Sequence, residues 1–330
     1  STQGYSSAAS DVYKRQSKFV DYWKATDPRR VYTGASVGNS WQWQPHNEYH
    51  VKAGARGLSW AGAQPESESD YRTRIDTVKQ PYVSHETGQW CVFPNFNEIR
   101  KYTGVNKAKN FEIFRDILND NQMGSQSHDF MMASGKLQAL CYKHEIEKTL
   151  RTPDYAGFQL LALNDYSGQG TALVGVLDVF FEEKGYINAE QFRRFCSPTV
   201  PLARIPKFVY ANNETFHADI EVSHFGAAPL ESAKTVYTIK DKFGKVYAHG
   251  TVGTHHIPIG NLYSLGSVDM TLEGIDTPQK LNLEVRIEGC DAVNDWDFWV
   301  YPAQVELVQG TVYTTCLLYT SPSPRDGLLS

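Results

Sequence analysis

Cysteine is scarce: five in 330 residues, at positions 91, 141, 196, 290 and 316, none in a CxxC pair. That spacing excludes a zinc knuckle and the disulfide framework on which small secreted domains rely. No stretch approaches the roughly 18 consecutive apolar residues of a membrane-spanning helix, so no membrane partner is expected. Basic charge is not in excess either. With 32 Lys and Arg against 37 Asp and Glu, the chain offers no surface for a polyanion, and no nucleic-acid partner is expected. HExxH and paired-histidine spacings are missing, so neither a metal nor a metal-dependent hydrolase is expected. Ser167-Gly168-Gln169-Gly170 lacks the Lys-Ser/Thr that completes a phosphate loop, which leaves no nucleotide cofactor to expect. Low-complexity tracts and internal repeats are also missing. What is present is 41% hydrophobic and 13% aromatic residues, enough to exclude a disordered chain and to build about two domain cores.

The two ends stand apart. Asp11 to Gln16 can be encoded by GAT GTG TAT AAG AGA CAG, and Cys316 to Ser321 by its reverse complement, TGT CTC TTA TAC ACA TCT. Both resemble the transposase end used to make sequencing libraries, and the flanking residues resemble its adapter arms. Residues 1–16 and 316–330 are therefore read as translated adapter and set aside from fold reasoning. The remaining 299 residues carry 29 basic and 35 acidic side chains and four cysteines, as expected of a metagenomic insert open at both ends.

Between those ends the periodicity changes once. Phe19 to Lys24 has helical spacing and stops at Asp27-Pro28. Short strands are expected at Val31–Ala35, Asn47–Val51 and Pro81–Glu86, followed by amphipathic helices over 107–118 and 129–151. Gly157 to Leu163 is a near-continuous apolar run, the pattern of a parallel strand buried on both faces. Strands alternating with helices predict the C-terminal half of a (β/α)8 TIM barrel over 17–204. From residue 205 to 304 the period becomes two: Phe216, Ala218, Ile220 and Val222, then Leu281, Leu283, Val285 and Ile287. Asp241-Lys242-Phe243-Gly244-Lys245 supplies a hairpin turn. This part predicts an immunoglobulin-like antiparallel β-sandwich, making the whole chain α/β plus all-β. Residues 305–315 would begin a further, truncated segment.

Chemistry concentrates in His85-Glu86-Thr87-Gly88-Gln89-Trp90. A carboxylate at the C-terminal end of a barrel strand faces the mouth where active sites form, and a retaining glycosidase needs one there as its nucleophile. Trp90, with Trp41 and Trp43, would stack on sugar faces. His85 either orients Glu86 or packs at the strand end. Asn47 and Glu48 either bind substrate hydroxyls or solvate a loop, and Asn164 with Asp165 would close the pocket. His128-Asp129 reads as a helix start and His255-His256 as an exposed turn. A second class of answer is a non-catalytic carbohydrate-binding or structural sandwich on a degenerate barrel, with Trp296 and Trp299 as its platform.

The order of three segments carries a family resemblance. Asp27-Pro28-Arg29-Arg30-Val31-Tyr32-Thr33 looks like the entry to the fifth barrel strand of glycoside hydrolase family 2, the family of β-galactosidases, β-glucuronidases and β-mannosidases. Gln80 to Glu86 is similar to its seventh strand, which carries the nucleophile, and Gly157 to Asp165 resembles its eighth. The resemblance covers most of residues 17–303. It implies a retaining β-glycosidase acting on oligo- or polysaccharides by double displacement, with a carbohydrate substrate and no cofactor. It also implies an acid/base Glu on the fourth strand, upstream of residue 17, so that this fragment alone would be inactive. A periplasmic or extracellular parent is favoured by the same resemblance, while the sugar, the linkage and the oligomeric state stay open.

Overall fold

The computed structural model describes residues 3–34, 45–166, 170 and 173–304, with side chains from residue 15 onward. Its first helix, α1 (Gln3–Thr26), crosses residue 16 without a break, because Ala8, Ala9, Lys14, Arg15 and Gln16 are all good helix formers. Of its expected apolar stripe only Val20 is buried; Phe19 and Tyr22 face solvent. Residues 31–34 are not a strand, and Trp41 and Trp43 lie outside the described residues.

Three short parallel strands follow: β1 (His50–Lys52), β2 (Tyr82–Thr87) and β3 (Tyr155–Leu160), in that spatial order. Between β1 and β2 lies the one-turn helix α2 (Arg72–Ile75). Between β2 and β3 the chain runs through a 3₁₀ segment (Phe96–Lys101), α3 (Lys109–Asp120) and α4 (Ser127–Leu150). β1 and β2 pair in unbroken register from His50 beside Tyr82, whereas β2 and β3 start with Tyr82 beside Tyr155 and shift register after Tyr82 and again between Ser84 and Thr87. Tyr71, Tyr82 and Tyr155 form a small aromatic core under the sheet, with Tyr82 and Tyr155 ring centroids 5.0 Å apart.

Two sequence expectations fail here for one reason. β3 is not buried on both faces: Phe158 and Leu160 pack on α4, while Ala156 and Gln159 face solvent. On α3 only Phe111 is buried, and Ile113 and Ile117 remain more than half exposed. β3 is an edge strand of a three-stranded sheet, so side chains here that would meet further layers have nothing to meet among the described residues.

After the short α5 (Ala189–Arg193), which Asn188 and Gln191 cap reciprocally, the chain becomes a sandwich of two sheets. One is β4 (Thr199–Arg204), β6 (Thr215–His224) and β9 (Gly260–Thr271). The other runs β5 (Val209–Ala211), β11 (Val293–Tyr301), β10 (Gln279–Ile287), β7 (Leu230–Asp241), β8 (Val246–Ile257). β4 is already hydrogen-bonded to β6, so sheet pairing begins before residue 205. The alternating residues of β6 and β10 are all fully buried, and Phe216 stacks on Phe298 at 4.1 Å between the sheets. The turn after β7 forms as its residues dictate. Asp241 Oδ1 accepts the N–H groups of Phe243 and Lys245, and Gly244 takes a positive φ of 86°. His255 and His256 sit on β8 rather than in a turn. Trp296 is 1% exposed, which removes it as a surface platform. No described helix is long and apolar enough to cross a membrane.

The helical part and the sandwich are joined by buried polar bonds. Glu147 on α4 is fully buried and accepts from Asn294 Nδ2 (2.7 Å) and Trp296 Nε1 (2.9 Å) of β11. Lys143 and Arg151 ion-pair with it along the helix. Burial alone would raise this carboxyl; Lys143 and Arg151 reverse the effect and hold it down to about 2. Around this centre, Ser67 bonds Ala203 and Ile205, and Asn261 Nδ2 donates to the carbonyls of Leu150 and Thr152. Substituting Glu147→Ala takes the carboxylate from Lys143 and Arg151 and the acceptor from the buried Trp296 indole, and is expected to cost about 3–5 kcal/mol in thermal unfolding near neutral pH. Because its folded pKa is depressed, the stability Glu147 contributes is present above the ordinary carboxyl range. Melting followed downward from pH 5 should show it lost as the pH falls toward 2.

Candidate functional site

At the C-terminal end of the middle strand, β2, the backbone turns sharply. Glu86 has φ 56°, a left-handed conformation that costs a non-glycine residue about 1–3 kcal/mol and is held only where surrounding bonds require it. The bonds come from Arg56, in the loop after β1. Its Nη1 donates to the carbonyls of His85 and Glu86, both at 2.7 Å, and reaches Glu86 Oε2 at 3.3 Å. Gln89 Nε2 donates to the same oxygen at 3.1 Å. His85 Nε2 lies 3.6 Å from Glu86 Oε1, and its Nδ1 meets Gln159 Oε1 of β3 at 3.2 Å. About a third of the Glu86 side chain stays open to solvent, so the carboxylate is both anchored and reachable.

Two residues on, Gly88 has φ 83° and presses on Tyr142 of α4; a Cβ there would sit 1.9 Å from the ring. Only glycine allows the approach. The chain then delivers Trp90, whose indole Nε1 donates to Glu145 Oε2 at 2.9 Å while Glu145 Oε1 accepts from Gly57 N at 2.7 Å. A buried carboxylate on α4 thus ties the loops after β1 and β2 together.

Of the expected site residues, His85 and Glu86 are in contact and Trp90 follows in the same loop. Asn164 and Asp165 lie four and five residues beyond the end of β3, and Asp165 is buried. Its Oδ2 pairs with Lys184 at 2.5 Å and its Oδ1 accepts from Gly175 N at 2.8 Å, so this carboxylate is consumed in holding its own loop. Asn164 Nδ2 donates to the Asp165 carbonyl. Asn47 and Glu48 stand elsewhere. They precede β1, whose first residue pairs with the first of β2, and so occupy the opposite end of the sheet from Glu86. There Asn47 Oδ1 accepts from Gly34 N and Glu48 Oε2 from Tyr32 N, fixing the segment before β1. The strand begins three residues later than its sequence indicates, which moves its C-terminal end to the loop carrying Arg56. Arg56, Gln89, Gln159 and Glu145 were not singled out by sequence reasoning; a basic residue just past a short strand was the available signal for the first. Among the described residues no group of three or more His, Cys, Asp and Glu side chains is placed to hold a metal ion.

A second cluster of charge sits behind the loop that Asp165 starts. Lys101 Nζ meets Asp178 Oδ2 (2.6 Å) and Glu182 Oε2 (2.8 Å), and Lys184 Nζ also donates to Gly175 O. Glu98, 1% exposed, faces this group, and its Oε2 has no hydrogen-bond partner. Burial and the neighbouring Asp178 push its carboxyl up to about 7.

A family described as a domain of unknown function (DUF8488) matches residues 214–302, within the sandwich. No curated protein matches the sequence. Among solved structures, the apo form of Bacteroides uniformis β-glucuronidase 3 is 12% identical over 88% of this chain and 34% of its own, with a TM-score of 0.32. Bacteroides uniformis β-glucuronidase 2 covalently bound to cyclophellitol-6-carboxylate aziridine is 10% identical, covering 87% and 30%, also at 0.32. Parabacteroides merdae β-glucuronidase is 14% identical over 30% and 13%, at 0.23. The chain thus spans between 13% and 34% of the length of these enzymes, and likeness at this level transfers neither architecture nor activity.

The raised carboxyl of Glu98 has a definite sign. Its protonated form suits the fold, so its contribution is complete below pH 4.5 and is lost as the pH rises through 7. Replacing it with the neutral isostere, Glu98→Gln, should flatten the pH dependence of the melting temperature between pH 5 and 8. The variant is expected to gain on the order of 2 kcal/mol relative to wild type across that range.

Proposed function

We propose that residues 17–204 form the C-terminal part of a (β/α)8 glycosidase barrel and residues 205–304 its following immunoglobulin-like sandwich, from a retaining β-glycosidase with Glu86 as nucleophile. One observation carries the reading: a solvent-reachable carboxylate, fixed by Arg56 and Gln89, at the C-terminal end of the middle strand of a parallel sheet. The order of the family-like segments supports it. In this chemistry the Glu86 carboxylate attacks the anomeric carbon, the bond to the leaving oxygen breaks, and a second carboxylic acid protonates that oxygen. Water then releases the sugar from Glu86, with the second group acting as base. That partner has to lie about 5–5.5 Å from the nucleophile. The reading assigns it to a segment outside this chain. His85 would steady the attacking carboxylate, Trp90 would offer an aromatic wall, and Asn164 a hydroxyl contact. A carbohydrate is the substrate class.

Because attack does not need the acid when the leaving group departs unaided, the nucleophile can be tested in this chain. Incubation with 2,4-dinitrophenyl 2-deoxy-2-fluoro β-galactoside, β-glucuronide and β-mannoside is expected to give one glycosyl adduct by intact mass. Peptide mapping should place it on Glu86, with none formed by Glu86→Gln. Ordinary aryl β-glycosides should not turn over. Adduct formation at another residue, no adduct from any of the three sugars, or turnover of an unactivated glycoside would each overturn the assignment.

A further inference from the structure

A cleft of about 940 Å³ opens between α4 and the sandwich, and neither Glu86 nor Arg56 lines it. It lies within the range of roughly 300–1,000 Å³ typical of small-ligand sites. One wall is α4, where Leu137 and Leu140 remain exposed; the other includes β11. Strand alternation places Asp295, Asp297 and Trp299 in one row on the same face of β11, between the buried positions 294, 296, 298 and 300. Trp60, from the loop after β1, lines the same cleft. Both Trp60 and Trp299 are half-buried, and among the described residues neither indole N–H has a hydrogen-bond acceptor, in contrast to those of Trp90 and Trp296.

The charges on the β11 row cancel locally, while of the lysines elsewhere on the walls Lys143 pairs with Glu147, Lys207 pairs with Glu214, and Lys136 has no ion pair among the described residues. Arg194 pairs with Asp295 at 2.9 Å, Lys280 with Asp297 at 2.6 Å, and Asn282 Nδ2 bridges the two carboxylates at 2.9 Å each. An anionic or cationic ligand therefore finds no uncompensated partner of opposite sign on that row. Each carboxylate nevertheless keeps acceptor capacity for a hydroxyl, since an ionised carboxyl offers about four lone-pair sites. Flat apolar faces beside fixed, charge-balanced acceptors complement a ligand with C–H faces and hydroxyl edges.

We propose that this cleft is a saccharide-binding site, distinct from Glu86, that takes a neutral glycan segment with Trp299 as its stacking platform. The site does not depend on the catalytic reading and would serve to hold a polymer against the protein.

The test uses the full chain and four neutral probes, cellopentaose, xylopentaose, mannopentaose and β-1,4-galactopentaose, titrated to about 5 mM by calorimetry and saturation-transfer NMR. At least one is expected to bind saturably with a Kd of about 1 mM or tighter. Trp299→Ala should weaken that binding at least tenfold, about 1.4 kcal/mol, while still unfolding cooperatively, at a lowered temperature because this ring packs against the sandwich core. Trp299→Phe should retain part of it, and Glu86→Gln should leave it unchanged. No saturable binding of any probe, binding that persists in both Trp60→Ala and Trp299→Ala, or loss in Glu86→Gln would overturn the proposal. So would self-association of the wild-type chain that Trp299→Ala abolishes, since the cleft would then be an interface between two copies.

Discussion

The carboxylate of Glu147 is the constraint on which the rest of the structure leans. A charge with no solvent contact survives only if its partners are in place, and here they come from two different parts of the chain: Lys143 and Arg151 from the same helix, Asn294 and Trp296 from β11. The pairing gives α4 a fixed rotation and a fixed height against the sandwich. Hydrophobic contact at the same junction would tolerate sliding, because apolar burial has no direction. A set of bonds converging on one carboxylate does not.

From that fixed helix the rest of the first part is positioned. Tyr142 receives Gly88, Glu145 receives the Trp90 indole and the Gly57 amide, and Gln138 Nε2 donates to the Trp90 carbonyl at 2.7 Å. The three-stranded sheet is too small to orient its own loops; α4 does so for it. Glu86 then acquires its left-handed backbone because Arg56 binds both carbonyls around it, and the strain is offset locally by those bonds.

The sandwich was largely legible in the sequence. Period-two alternation in β6 and β10 and the Asp241–Lys245 turn are local signals, and the structure carries them out residue by residue. The first part was legible in kind but not in detail. Apart from the strand expected at 31–35, which residues 31–34 do not form, the order of strands and helices follows the apolar pattern, while the start of β1 and the exposure of α3 and β3 depend on which neighbours exist, and a single segment does not encode that. At the candidate site, the contact of His85 with Glu86 was foreseeable from adjacency on a strand end. The internal ion pair of Asp165 was not, because its partner Lys184 is separated from it by a loop and nothing in the composition of either segment marks the pair. Charged residues that become buried are the main gap: Glu98, Glu145, Glu147 and Arg151 read as the solvated face of helices until the packing is known.

One geometric fact about α4 reaches further. Glu145 and Glu147 stand two residues apart, and so point to nearly opposite sides of the helix, the first toward the Trp90 loop and the second toward β11. The helix therefore acts as an axle keyed at two angles. Any rotation that relieved a disturbance in the sandwich would swing the Trp90 indole by the same angle, so the geometry of the loop beside Glu86 is set in part by residues about 200 positions later in the chain.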